Sequence, residues 1–300
     1  MKKAFTLVIP LVVCTFILCS CGASNNSNTS VDDASSTFDA SRGISIIVRE
    51  DGSGTKSAFM ELVGLKGKAD PEGAIMQNST EGILAEVKEN QTAIAYESLG
   101  YVTDDVKVLK VEGVEAAVAN IKDGTYKLCR PLSIVYQDTV LDTPLFNAFY
   151  IFLQSKEAFE IIGGNGYITI LDASAPYMID ESLSGTINIS GSTSFKPLMD
   201  ELVKKFEDMQ PDVTVSVGEG DSGQGYSAAE DSTSEFGMIS EEFNAGKAPG
   251  CVFYTVCKDG IALIVHKDNP LDSITMEDLK NIYDAEAGAN AITMWNDLIR

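Results

Sequence analysis

The stretch that most constrains this chain is Arg49-Glu50-Asp51-Gly52-Ser53-Gly54-Thr55. It follows an apolar run at 44–48 and leads into residues 56–63, where apolar side chains recur at helical spacing. That pattern predicts a buried strand, a tight turn and a helix start. Such a turn aims several free backbone N–H groups at one spot, and the helix dipole makes that spot favourable for an anion. Arg49 adds a planar fork of donors, while Ser53 and Thr55 add hydroxyls. The guest this chemistry suits is a small oxyanion. The plainer alternatives are that Ser53 or Thr55 only caps the helix, and that Arg49 only pairs with an acidic neighbour such as Asp51. The Lys-Ser/Thr that closes a nucleotide-type phosphate loop is missing.

The chain has 44 Asp and Glu against 22 Lys and Arg over 300 residues. This balance argues against nucleic-acid binding and against general attraction to anionic lipid. An anion site must then be local, a closed cleft dense in hydrogen bonds. At the N-terminus, Met1-Lys2-Lys3 precedes an apolar run at 4–18 and then Cys19-Ser20-Cys21-Gly22. The positive start and short apolar stretch indicate an export signal over residues 1–20 rather than a spanning helix. Leu18-Cys19-Ser20-Cys21 resembles the bacterial lipobox, which makes Cys21 the expected lipid anchor; the alternative is an ordinary cleaved signal. Residues 21–40, rich in Ser, Asn, Asp and Thr, read as a flexible tether. Of the remaining cysteines, Cys251 and Cys257 lie close enough in sequence for a disulfide in an oxidising exterior, and Cys129 stands alone. The one histidine is His266, and there is no Cys/His metal spacing, so neither a metal nor a cofactor is expected.

Along the chain, helices are expected at 72–90, 114–121, 195–209 and after Thr275, where Thr275 and Asp278 suit an N-cap and its N3 partner. Strands are expected at 91–96, 106–109, 186–189, 213–217 and 260–265. Residues 128–136 read as extended, with Pro131 arguing against a central strand. Leu145, Phe146, Phe149, Phe152, Leu153 and Phe159 form the core stripe of one long helix over 145–162. Residues 172–185 look like a linker, and Trp295 like a packing anchor. Strand and helix alternate, which favours an α/β architecture. Two further Gly/Ser turns follow strands, Gly191-Ser192-Thr193-Ser194 and Asp221-Ser222-Gly223-Gln224-Gly225. Open α/β sheets bind ligands at the carboxyl ends of their strands, and three such turns can converge on one anion.

These residues carry a resemblance. The chain resembles the PstS-like phosphate-binding lipoproteins of bacterial ABC importers, which have the periplasmic-binding-protein fold. Gly191 to Ser194 resembles the family's first phosphate turn, Asp221 to Gly225 its second, and Arg49 to Thr55 its most specific motif. Phe236-Gly237-Met238-Ile239-Ser240-Glu241 resembles the segment supplying an acidic partner. Supporting matches at 93–100, 123–132, 166–167, 259–270 and 292–295 extend the likeness over nearly all of the chain beyond the tether. The order departs from the family's: the Gly191 block should come first and the Arg49 block later. The chain reads as a circular permutation, or as a piece of a longer tandem protein, with 172–185 as the new bridge.

The resemblance implies a type II-like, two-lobe α/β fold with two hinge strands crossing near Cys129 and Lys258. One lobe is expected over 130–257, the other over 41–129 plus 258–300, built from both ends of the chain. The seam between those ends is expected to leave a sheet edge or the surroundings of Trp295 incompletely packed. The implied phosphate ligands are Thr193, Ser194, Ser222, Arg49, Ser53, Gly54 and Thr55. Glu241 stands where the family often has an aspartate that accepts the proton of hydrogen phosphate, and is one methylene longer. The implied protein is not an enzyme: a monomer held to the membrane only by its lipid, on the extracytoplasmic face, passing phosphate to ABC permease subunits. Two other classes stay open, a surface or sensor module with weak or no phosphate binding, and a phosphomonoesterase using Asp221 and Ser222.

Overall fold

Residues 38–171 and 174–299 are described in a computed structural model, and Cys21, the signal and most of the tether lie outside them. In chain order the first half holds β1 (Ser45–Arg49), α1 (Gly54–Leu62), β2 (Ile75–Gln77), α2 (Thr80–Glu89), β3 (Ala93–Ser98), β4 (Val106–Val111), α3 (Val118–Lys122) and β5 (Cys129–Gln137). Then come α4 (Pro144–Phe152), α5 (Lys156–Gly164), β6 (Ile168–Thr169), β7 (Gly185–Ser192), α6 (Lys196–Met209), β8 (Val213–Gly220), α7 (Ser222–Glu230) and β9 (Phe236–Ile239). The chain closes with β10 (Cys251–His266), β11 (Ser273–Ile274) and α8 (Met276–Tyr283).

One topology is used twice. Strands β2, β1 and β3 run parallel, and β3 meets the C-terminal half of β10 antiparallel. Likewise β8, β7 and β9 run parallel, and β9 meets β5 antiparallel. The long strands β5 and β10 pair with each other through the middle of the molecule, which makes a two-lobed α/β fold with shared strands. The apolar clusters divide in the same way. One is drawn from residues between Leu132 and Cys257. Another combines Val48 to Leu128 with Ile261 to Trp295, and borrows Ile168 from α5's trailing strand.

The two ends of the chain are stitched together. Ile44 N–H donates to the Thr293 carbonyl at 2.8 Å and Trp295 N–H to the Arg42 carbonyl at 3.2 Å. Trp295 is fully buried, its indole N–H donates to the Thr92 carbonyl at 3.1 Å, and Phe38 packs edge-on against its ring. The seam is filled, contrary to the incomplete packing expected there, because the indole itself plugs it.

Several elements differ from the sequence reading. The helix expected over 72–90 begins only at Thr80, because residues 75–77 pair with β1 and Ser79 caps the helix, its hydroxyl accepting from Gly82 N–H. The single helix over 145–162 is two, since Ser155 caps α5 by accepting from Ala158 N–H. Such local side-chain bonds compete with helix continuation. The aromatic stripe is core as expected. Pro131 does sit in a strand flanked by neighbours; β9 ends opposite Ser133, so the missing N–H costs no bond on that edge. Cys251 and Cys257 are free thiols at two ends of one stretch of β10. Six residues of strand span about 20 Å, far beyond the Cα separation of roughly 4.4–6.8 Å that a disulfide needs, so the possible bridge between them is not made.

Candidate functional site

Three helix N-termini point into one cleft. The turn after β1 delivers α1, capped by Ser53, whose hydroxyl accepts from Lys56 N–H at 3.3 Å. The turn after β7 delivers α6, and the turn after β8 delivers α7, capped by Asp221 accepting from Gln224 N–H at 2.7 Å. Each of these strands ends its parallel run at the same edge of its sheet, the edge where such folds bind ligands. Among the described residues the amides of Gly54, Thr55, Ser194 and Ser222 have no protein acceptor, as expected of first-turn N–H groups.

Between these termini lies a tight recess lined by Arg49, Ser53, Gly54, Thr55, Ser192, Thr193, Ser194, Asp221, Ser222 and Ser240. Its lining is hydroxyls, helix-terminal amides and one guanidinium, donors that suit a small oxyanion. Its hydroxyls form a chain: Thr55 Oγ1 lies 3.2 Å from Ser194 Oγ, which lies 3.1 Å from Ser192 Oγ. Ser192 Oγ in turn donates to Ser240 Oγ at 3.0 Å, and Ser222 Oγ accepts from Ser240 N–H at 3.0 Å.

Arg49 is 1% exposed and holds both walls. Its Nη2 donates to Thr193 Oγ1 at 3.2 Å, and Nε and Nη2 form a fork on the Glu50 carboxylate, both at 2.9 Å. Its Nη1 stands 3.8 Å from Glu97 Oε2. Burial alone lowers the guanidinium pKa, but Glu50 and Glu97 outweigh it and the value is raised, so Arg49 is a permanent cation. Asp51, by contrast, pairs with Lys56 at 2.8 Å.

The walls touch directly. Gly223 N–H donates to the Gly52 carbonyl at 3.2 Å, and Gly52 lies against the Asp221 carboxylate with φ of 98°. Gly54 sits so close to Ser222 and Ser240 that no β-carbon fits. This is a closed cleft.

Of the residues expected from sequence, Arg49, Ser53, Gly54, Thr55, Thr193, Ser194 and Ser222 are brought together. Glu241 is not: its Oε1 accepts from Lys247 Nζ at 2.5 Å, and it lines a separate outer cleft with Lys247, Asn244 and Lys56. The neighbouring Ser240, the first residue past β9, takes the inward position, bonded to Ser192 and Ser222. Sequence reasoning passed over Ser192 and Ser240, although both stand at carboxyl ends of parallel strands. It also passed over Glu97, whose signal was a carboxylate ending the apolar run Ala93-Ile94-Ala95-Tyr96.

A sequence profile of the PBP superfamily domain matches residues 21–157 and 179–300. The chain belongs to the PBP superfamily. Within it, the chain is 33% identical to phosphate-binding protein PstS 2 of Streptococcus pneumoniae serotype 4 strain TIGR4 over 304 aligned positions, covering 99% of each chain. It is also 33% identical to PstS 2 of Streptococcus agalactiae serotype V over 287 positions, covering 92% of each. Among solved structures it is similar to a phosphate-binding protein of a phosphate ABC transporter from Streptococcus pneumoniae TIGR4. There the TM-score is 0.68 and identity 32%, over 86% of this chain and all of that one. These place it with the PstS-like members of the superfamily. Because the first alignment runs through both chains from end to end, the permuted order of blocks is shared by that PstS 2 relative.

Proposed function

We propose that this PBP-superfamily protein binds inorganic phosphate between two closing lobes, residues 130–257 and residues 41–129 plus 258–300, and delivers it to an ABC permease. The ligand set is Arg49, Ser53, Gly54, Thr55, Thr193, Ser194 and Ser222, joined by Ser192 and Ser240. The observation that carries this reading is the convergence of three helix N-termini, a chain of hydroxyls and one buried arginine, from both walls, on a single recess. The full-length likeness to proteins named phosphate-binding supports phosphate as that anion.

Partial positive charge at the helix ends and fixed N–H donors stabilise an anion without moving on binding. Closure excludes water, which strengthens each donor. On this reading the protein is a monomer tethered outside the cytoplasmic membrane by a lipid on Cys21, and catalyses no reaction. Calorimetric titration of the signal-free protein with phosphate at neutral pH tests it. Saturable binding with a stoichiometry of one is expected, lost in Arg49→Ala; absence of binding by a folded sample overturns it.

A further inference from the structure

Behind Arg49 lies a carboxylate that phosphate coordination does not use. Glu97, next to last in β3, is fully buried; its Oε1 accepts from the adjacent Ser98 N–H at 2.8 Å, and its carboxylate also feels the Thr80 hydroxyl. Its Oε2 has no hydrogen-bond partner and stands 3.8 Å from Arg49 Nη1, too far for a hydrogen bond. An unsatisfied buried carboxylate oxygen is costly, and here it sits one side chain away from the anion cavity.

The charges around it are already unbalanced. Arg49 from β1 and Arg130 from β5 face it as cations. Against them stand Glu50, gripped by Arg49, and Asp259 of β10, which pairs with Arg130 at 3.0 Å. Two guanidinium groups therefore meet three carboxylates when Glu97 is ionised. Tyr96 and Tyr101 also lie within its electrostatic reach, but a phenol is neutral near pH 7; Thr80, from the start of α2, is uncharged and accepts from Arg49 Nη1 at 3.5 Å. Adding a dianion to the other side of Arg49 loads a cluster that already carries an excess negative charge.

Resting on the phosphate reading above, we propose that Glu97 is a positioning and proton-linked residue: it takes up a proton as the anion enters, so that binding of a dianion is coupled to proton uptake. Protonation removes the excess charge and leaves the Arg49 fork on Glu50 and its bond to Thr193 intact. It also turns Oε2 from an unsatisfied acceptor into a donor. Burial already raises the Glu97 pKa, opposed by Arg49 and Arg130, and a nearby anion moves it further the same way.

The test is calorimetric titration of the signal-free protein with inorganic phosphate in two buffers of different ionisation enthalpy. The pH is set well above the second ionisation of phosphate, so that the ligand arrives as the dianion. Wild type is expected to take up a substantial fraction of one proton per phosphate bound. Glu97→Gln, which keeps size and polarity, is expected to bind with uptake reduced to near zero. Binding by wild type without proton uptake overturns the inference and leaves the phosphate reading standing; so does unchanged uptake in the variant. No binding by a folded wild type overturns both. A wild type that binds without proton uptake overturns the inference even if Glu97→Gln fails to fold, and Glu97→Asp, which keeps an ionisable group, then serves as the second variant, expected to retain uptake.

Discussion

Thr55 Oγ1 and Ser194 Oγ lie 3.2 Å apart, although 139 residues separate them in the chain. One hydroxyl belongs to each wall, so the pair is formed only when the cleft is shut. Each hydroxyl has a single proton: in the shut cleft one is donated between them, and each is expected to turn to the anion when it binds. A hydrogen bond to a charged group contributes about 1.5–3 kcal/mol, so Thr55→Ala and Ser194→Ala should each weaken phosphate binding roughly 10- to 100-fold. Because the two share one bond, the double variant should lose less than the product of the single losses. Calorimetric affinities for the four proteins check this.

Arg49 is held by two acids, and its removal should cost more than binding. Arg49→Ala leaves Glu97 buried without its nearest cation, which is destabilising by about 3–5 kcal/mol for broken buried pairs. Adding Glu97→Gln removes the stranded charge. The double variant should therefore regain much of the lost thermal stability while still failing to bind phosphate. Melting curves and titrations of the same samples separate the two effects.

Ser240 and Glu241 are neighbours with opposite fates. Ser240 faces the cavity, bonded to Ser192 and Ser222, whereas Glu241 pairs with Lys247 in the outer cleft. Ser240→Ala is expected to lower phosphate affinity about 10-fold, a loss of about 1.4 kcal/mol. Glu241→Gln should change it by less than about threefold, as for other partly solvated ion pairs. Titration of both variants decides, and the reverse order would return the acceptor role to Glu241.

The sequence carried the site further than it carried the element boundaries. Gly/Ser turns after apolar runs marked all three helix starts, and at α1 and α7 a residue of the turn, Ser53 or Asp221, also caps the helix. The two-lobe architecture was legible from the resemblance, even in permuted order. Side-chain facing was not legible near Ser240, where a shift of one position exchanges inside for outside. Nor were caps inside apparently continuous patterns: Ser79 and Ser155 each began a helix that periodicity alone had merged with its surroundings. The pair Cys251 and Cys257 looked close in sequence, but a straight strand carries them apart.

Glu97 also predicts a pH dependence of the unliganded protein. Its carboxyl pKa is raised above the ordinary value of 4.5 by burial. Between the unfolded value and the raised one, the folded state holds a proton that the unfolded state has released. Its contribution to stability is thus fully present below about pH 4.5 and is lost as pH rises through the folded pKa. Without phosphate, denaturation midpoints of wild type minus those of Glu97→Gln should fall as pH is raised from 5 to about 8. A flat difference would sink this assignment.

Gly54 offers a way to separate closure from folding. It is the first residue of α1 and has ordinary helical geometry, so alanine is locally acceptable and favours the helix by up to about 1 kcal/mol. A β-carbon there meets the Ser222 and Ser240 hydroxyls across the cleft, and the Ser240 contact is only 2.7 Å. Those hydroxyls are tied into the cavity network and cannot swing away without breaking it. Gly54→Ala should therefore fold with unchanged or slightly higher thermal stability when unliganded, yet bind phosphate at least 100-fold more weakly, about 2.7 kcal/mol. Small-angle scattering should show that phosphate compacts the wild type and leaves the variant unchanged. If the variant binds and compacts normally, the closed contact between Gly54 and Ser240 is not part of the bound state.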